Sequence, residues 1–221
     1  MPVTELAWIP SATPGSVPPE LIEAGRKGME AQSEWAATHA SSTLPSGPPA
    51  VRGAFLFQQR EDQGVVLVTA HWDSPAQHAE CIASEENQRA MAAIASLAIP
   101  SEVKFFHVEG VQMFSTINEG LLSVLRIGVG PGPEKKELVE RIWVDSGKRL
   151  LGVAAGFEQV GGWRIEKEGD GEEFVVVGAW RDEGALDRFV QGIWDGKSVW
   201  DEAWRDVQVL EMDVKTYHCI A

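Results

Sequence analysis

The stretch VVLVTAHWDSPAQHAECIAS, Val65 to Ser84, decides the fold. It opens as a valine-rich run that reads as a β-strand. Ser74 and Pro75 then mark a helix start, because Ser is a favoured N-cap and Pro suits the first helical position. An Ala-rich helical pattern follows to about Ala98, with a break expected near Ser84. The same order of parts returns as EEFVVVGAWRDEGALDRFVQGIW, Glu172 to Trp194: valine-rich run, Trp, acidic turn, helix. Trp72 and Trp180 stand 108 residues apart, and matching Phe55 in VRGAFLFQQ to Phe157 in VAAGFEQV gives an offset of 102. The difference places a longer hairpin, VGGWRIEKEGDGEEF, in the second copy. Self-similarity on this scale marks a duplicated unit.

Outward from that segment, each copy reads as strand, helix, strand, strand, helix, strand. In the first copy VTELAWIP is a short strand, and PPELIEAGRKGMEAQSEWAATHA has the three-four spacing of a helix face. SSTLPSGPPA is loop by composition, and SEVKFFHVEGVQ closes the copy as a strand. In the second, LLSVLRIGVG is a strand and GPGPEKKELVERIWVDSGKRLL a helix; VQVLEMDVKTYHCIA is the last strand. The β-α-β-β-α-β unit is the ferredoxin-like arrangement. A sheet covered by helices on one face must bury the other, and two such sheets packed face to face do so. The expected fold class is therefore α+β: two ferredoxin-like repeats, 1–112 and 121–221, joined by a linker at 113–120. Their antiparallel sheets would form a pseudo-dimeric α+β barrel within one chain, with a further homodimer left open.

Composition narrows the function. The chain of 221 residues carries 33 acidic and 19 basic side chains, a formal charge of −14. With no basic block, it repels phosphate backbones, so neither nucleic acid nor an anionic membrane is expected as partner. There is no signal-like start and no apolar run long enough for a membrane span, so a cytoplasmic protein is expected. The two cysteines, Cys81 and Cys219, have no metal-ligand or disulfide spacing. No HxH, HxxxH or HExxH pattern occurs, so no metal site is expected. GVGPGPEKKE (128–137) lacks a nucleotide-loop signature and reads as a tight strand-to-helix turn. No cofactor is expected. Nine tryptophans against one tyrosine favour planar ligands or aromatic cores.

The segment AHWDSPAQHAECIAS resembles the antibiotic-biosynthesis monooxygenase-like proteins of the dimeric α+β barrel superfamily. The Trp at the end of the third strand, the acid, the Ser and the Ala-rich helix fall on Trp72, Asp73, Ser74 and Ala76, and a later Ser on Ser84. The second copy keeps Trp180, Ala185 and Leu186. Where the family often has a His nine residues after the Trp, this chain has Cys81, and its histidine is His78. Haem-degrading relatives use an Asn on the first strand, where this chain offers Trp8. The resemblance implies a pocket between helices and sheet in each half, used for cofactor-free oxygenation of aromatic polyketides or quinols, for cyclase or lyase chemistry, or for no known reaction.

Histidine titrates near neutrality and is the natural acid or base for such chemistry. Of five histidines, four fall in the first copy, which points to one working pocket. His78 and His39 are the candidate bases; His107 and His71 are candidate donors. His71 and Trp72 are strand neighbours and must face opposite ways. Phe105 and His107 share a face, and Phe106 and Val108 share the other. Trp72, Trp35, Trp8, Phe55 and Phe106 are the candidate substrate walls. The leading expectation is a cofactor-independent enzyme acting on a planar aromatic or polyketide-like molecule, by reaction of a substrate carbanion with O₂. A polyketide cyclase or dehydratase would use the same groups. A non-catalytic small-molecule or haem-binding barrel would need only the walls.

Overall fold

The computed structural model describes residues 1–39, 44–110, 120–144, 159–180, 182–194, 204 and 206–221. Residues 113–119 of the expected linker, Phe157, and the helix tails expected after 144 and 194 lie outside these. The first repeat contains β1 (Val3–Pro10), α1 (Pro19–His39), β2 (Phe55–Gln59), β3 (Val65–Trp72), α2 (Pro75–Ala83), α3 (Glu85–Ala95) and β4 (Lys104–Glu109). The second contains β5 (Leu121–Val129), α4 (Pro133–Ile142), β6 (Gln159–Trp163), β7 (Glu172–Trp180), α5 (Glu183–Trp194) and β8 (Val209–Cys219).

Ser74 Oγ accepts from the Gln77 backbone N–H, with Pro75 at the first helical position. Ser84 ends α2 and also caps α3, accepting from Asn87 N–H, so one residue supplies the break expected there. In the second repeat Asp182 takes the place of Ser74 and accepts from Ala185 N–H.

The eight strands run in the order β4-β1-β3-β2-β8-β5-β7-β6, every described pair antiparallel. Each half has the strand order of a ferredoxin-like unit, and β2 pairs with β8 at one seam. The other seam closes where Val108 bridges Arg164 and Ile165 N–H donates to His107 C=O at 2.9 Å. The result is a tandem, intramolecular α+β barrel.

Alternation sends side chains either into the barrel or outward toward the helices. Leu6, Phe55, Phe57, Leu67, Phe106, Val108, Leu122, Val175 and Tyr217 meet inside the barrel. Val3, Ala7, Ile9, Val68, Ala70 and Trp72 face outward and are covered by α1, α2 and α3. Register also corrects the internal alignment. Phe55 pairs with Thr69, whose counterpart 108 residues on, Val177, pairs with Val160. The equivalent of Phe55 is thus Val160, an offset of 105 rather than 102: an aromatic match between two strands does not fix register. No described helix is long and apolar enough to cross a membrane.

Candidate active site

Between the first sheet and its helices lies a cavity of about 220 Å³. Ala7, Ile9 and Val68 form its floor, and Met91, Ile94 and Ile82 its roof. Gly25 and Gly28 present no side chain from α1, which leaves room between helix and sheet. Against this apolar lining stand four polar groups: Glu5, His78, Gln32 and Asn87. Gln32 Nε2 donates to Asn87 Oδ1 at 3.0 Å, forming an amide pair on one wall.

Glu5 is 6% exposed and occupies a β1 position where its same-face neighbours Val3, Ala7 and Ile9 are apolar. Register sets it directly opposite His107 on β4. Its Oε2 accepts from Trp72 Nε1 at 2.8 Å and lies 3.3 Å from His78 Nε2. The His78 ring stacks on Trp72, with centroids 4.5 Å apart and planes 15° from parallel. His78 Nδ1 is 2.9 Å from His107 Nε2, and His107 Nδ1 is 2.5 Å from Glu166 Oε1. The other Glu166 oxygen accepts the His107 backbone N–H at 2.7 Å. Glu166 belongs to the segment between β6 and β7, in the second repeat, and its side chain is 39% exposed. A continuous chain of polar contacts therefore runs from a buried carboxyl, through two imidazoles, to a carboxylate at the surface.

Burial shapes the titration of this chain. It raises Glu5 to about 7, against the opposing hydrogen bond from Trp72. It lowers His78 to about 3, helped by the neighbouring His107 and opposed by Glu166. Partial burial pushes Glu166 up, but hydrogen bonds from the His107 backbone and ring outweigh it and leave the carboxyl below its ordinary value. With His78 held neutral by burial, the donor order along the chain is set from the acidic end. Ionised Glu166 takes the His107 Nδ1 proton as acceptor. His107 Nε2 then accepts from His78 Nδ1–H, and His78 Nε2 accepts from a protonated Glu5. Moving each of these three protons one place toward Glu166 leaves Glu5 ionised and adds no charge to either ring.

The sequence candidates divide accordingly. His78, His107 and Trp72 come together at this site. His39 is exposed at the end of α1, where its ring stacks on Trp35 at 5.1 Å and its Nδ1 is 3.1 Å from Trp35 C=O. Trp35 is buried beneath α1, away from the cavity lining. His71 sits in the opposite direction from Trp72, its Nδ1 2.9 Å from Thr4 Oγ1, and burial lowers its pKa to about 4. Trp8, Phe55 and Phe106 belong to the barrel interior. Cys81 is packed in the outer core, and burial pushes its thiol up to about 12. Glu5, Glu166, Gln32 and Asn87 were not candidates. Glu5 alone left a sequence signal, as an acid on the apolar face of an alternating strand.

A haem does not fit these residues. Both ring nitrogens of His78 and of His107 are engaged, and a porphyrin exceeds the cavity in size. Among the described residues no group of three or more His, Cys, Asp or Glu side chains is arranged to hold a metal ion.

Fold and site together define the class: a tandem dimeric α+β barrel with one buried acid–imidazole chain. No protein-family model and no curated protein matches the sequence. Solved structures do. A proposed monooxygenase from Lactobacillus acidophilus is 10% identical over 99% of this chain and 93% of its own, with a TM-score of 0.59. An anthrone oxidase-like protein is 14% identical over 100% and 92%, with a TM-score of 0.57. A haem-binding protein from Thermus thermophilus is 11% identical over 100% and 92%, with a TM-score of 0.54. At these identities the likeness is one of fold.

Proposed function

We propose that the protein is a cofactor-independent oxygenase that deprotonates a compact, planar, phenolic or enolisable substrate in the helix–sheet cavity of the first repeat. One observation carries the reading: a buried carboxyl whose pKa is raised to about 7 faces an apolar cavity and is linked through two histidines to a surface carboxylate. A base is most effective when its pKa lies near the working pH. The volume is below the ~300–1,000 Å³ of drug-sized pockets, which suits a molecule of one or two rings. Glu5 accepts the substrate proton, and the chain through His78 and His107 passes a proton on to Glu166 and solvent. The electron-rich substrate anion then reduces O₂ to a carbon-bound peroxide anion, which takes a proton returned along the same chain through Glu5 and becomes the hydroperoxide. Loss of water from it leaves a new carbonyl, so one oxygen atom enters the product and the other leaves as water. The Gln32 amide has a second N–H beyond the one bound to Asn87, and we assign it to a developing oxyanion. The monooxygenase and anthrone oxidase descriptions of two fold neighbours agree with this chemistry.

The test is oxygen uptake by metal-free protein against a panel of naphthols and hydroquinones, with Glu5→Gln beside the wild type. Uptake should rise with pH through about 7 and fall by about 10²–10⁴ in the variant. Unchanged uptake in Glu5→Gln would remove the carboxyl from the base role. Substrate consumption without uptake would assign the same groups to a cyclase or dehydratase.

A further inference from the structure

We propose that the barrel interior between the two repeats is a second ligand site, specific for a small aromatic monocarboxylate. It is a different cavity from the one above. Trp8 and Phe106 project inward from β1 and β4, whereas Glu5 and His107 on the same strands project outward. The interior cavity measures about 500 Å³ and opens at a mouth shared by both repeats.

Its charge runs against that of the whole molecule. In a chain of net charge −14, the lining holds four cations, Lys104, Arg126, Arg164 and Lys215, and two carboxylates, Glu168 and Asp213. Glu173 takes up a further part of the positive charge, with bonds to Arg126 at 2.8 and 2.7 Å and a 3.6 Å approach to Arg164. Four cations against three carboxylates leave one positive charge, which suits a monoanion. A phosphate dianion would face all three acids. The unspent donor is specific. Arg164 is 8% exposed, its Nη2 is bound to Glu168 at 2.7 Å, and its Nε is buried with no hydrogen-bond partner. A buried donor left unmade is costly, and a small turn of the guanidinium toward the cavity offers this N–H to a ligand carboxylate.

The apolar part of the ligand follows from the walls. Trp8 and Phe106 lie 5.2 Å apart, tilted by 37°, and the Arg164 guanidinium sits 4.3 Å above the Phe106 ring. A flat ring resting on these faces would bring an attached carboxylate toward Arg164. Trp8 Nε1 donates to Tyr217 Oη at 2.9 Å, which leaves the phenolic proton to donate in turn; burial raises its pKa and keeps it protonated.

The experiment is isothermal titration of the full chain at pH 8 with 1-naphthoate and, separately, the neutral 1-naphthamide. Naphthoate should bind at one site per chain, at least about tenfold more tightly than the amide, as expected for one charged hydrogen bond. Arg164→Gln should abolish that preference. Because Arg164 also bridges the closing seam, a second variant guards against misfolding: Val124→Phe, which fills the cavity from β5 and should exclude both compounds. Equal affinity for acid and amide, no binding, or a preference that survives in Arg164→Gln would overturn the proposal. So would naphthoate binding that responds to Glu5→Gln and not to Val124→Phe, because the compound would then sit in the helix–sheet cavity. Oxygen uptake in the first cavity stands or falls separately from all of these outcomes.

Discussion

Glu5 is held protonated by its surroundings, and the cost depends on pH. The unfolded chain releases this proton near 4.5, while the folded chain keeps it to about 7. The folded state therefore binds more protons in that interval, and stability falls as pH rises through it. The full penalty, on the order of 3 kcal/mol, is in place above about pH 7. His78 works the other way. The unfolded chain takes up a proton near 6.5 that the folded chain refuses until about 3, so its contribution is lost as pH falls. Glu5→Gln should match the wild type within about 1 kcal/mol at pH 5 and exceed it by about 2–3 kcal/mol at pH 9, measured by urea unfolding. Parallel pH curves for the two proteins would show that Glu5 is not desolvated as described. Reading from sequence reached His78, His107 and Trp72 because their residue types advertise proton transfer or stacking. It passed over Glu5, whose meaning lies in its register opposite His107. Glu166 was beyond reach, since barrel closure alone brings it to a histidine 59 positions away.

The element that makes this closure possible is the β6–β7 hairpin. Its longer connection in the second repeat is visible in the sequence, but its purpose is not. The hairpin crosses the seam: Arg164 bridges Val108, Ile165 donates to His107 C=O, and Glu166 grips His107 from both its backbone and its ring. Gly162, two residues upstream of Arg164, permits the approach. A Cβ there would fall 1.8 Å from the Glu109 carbonyl oxygen, a backbone atom that no rotamer change can move aside. Gly162→Ala should force the hairpin off β4, lowering stability by about 1–3 kcal/mol as overpacking does. Oxygen uptake should drop with it, because Glu166 moves with the hairpin. Gly192 in α5 is the control, with nothing within 4 Å of a Cβ placed there. Gly192→Ala should leave uptake unchanged and raise stability by up to about 1 kcal/mol through helix propensity. Urea unfolding of the two variants separates these outcomes, and equal effects at both positions would mean the seam does not depend on close approach.

Across the whole molecule the two halves share a frame and differ at the chemistry. Trp180 repeats Trp72, and its Nε1 donates at 2.9 Å to Ser123 Oγ, in the place where Trp72 meets Glu5. Leu186 stands in the position of His78 and is fully buried in a cluster with Trp180 and Leu121. Thr216, paired with Ser123 across the strands, takes the position of His107. Glu5, His78 and His107 are thus replaced by Ser123, Leu186 and Thr216, while the seam carboxylate is kept, since Glu61 accepts from the Thr216 backbone N–H and hydroxyl as Glu166 does from His107; among the described residues the duplication supports one acid–imidazole chain rather than two. The duplication was legible because strand, Trp, cap and helix recur in order at both ends. The loss of the second site became legible only once register assigned partners to Ser123 and Thr216. This asymmetry can be tested by restoring the acid alone. Ser123→Glu would place a carboxylate at a position 2% exposed, where Leu186 and Thr216 stand in place of the two imidazoles. Its ionised form is disfavoured there, so the variant should lose about 3 kcal/mol or more at pH 8. It should regain part of that at pH 5, where the carboxyl carries its proton and only the steric cost remains. A loss of the same size at both pH values would mean that water reaches Ser123, and that the second half keeps an open pocket of its own.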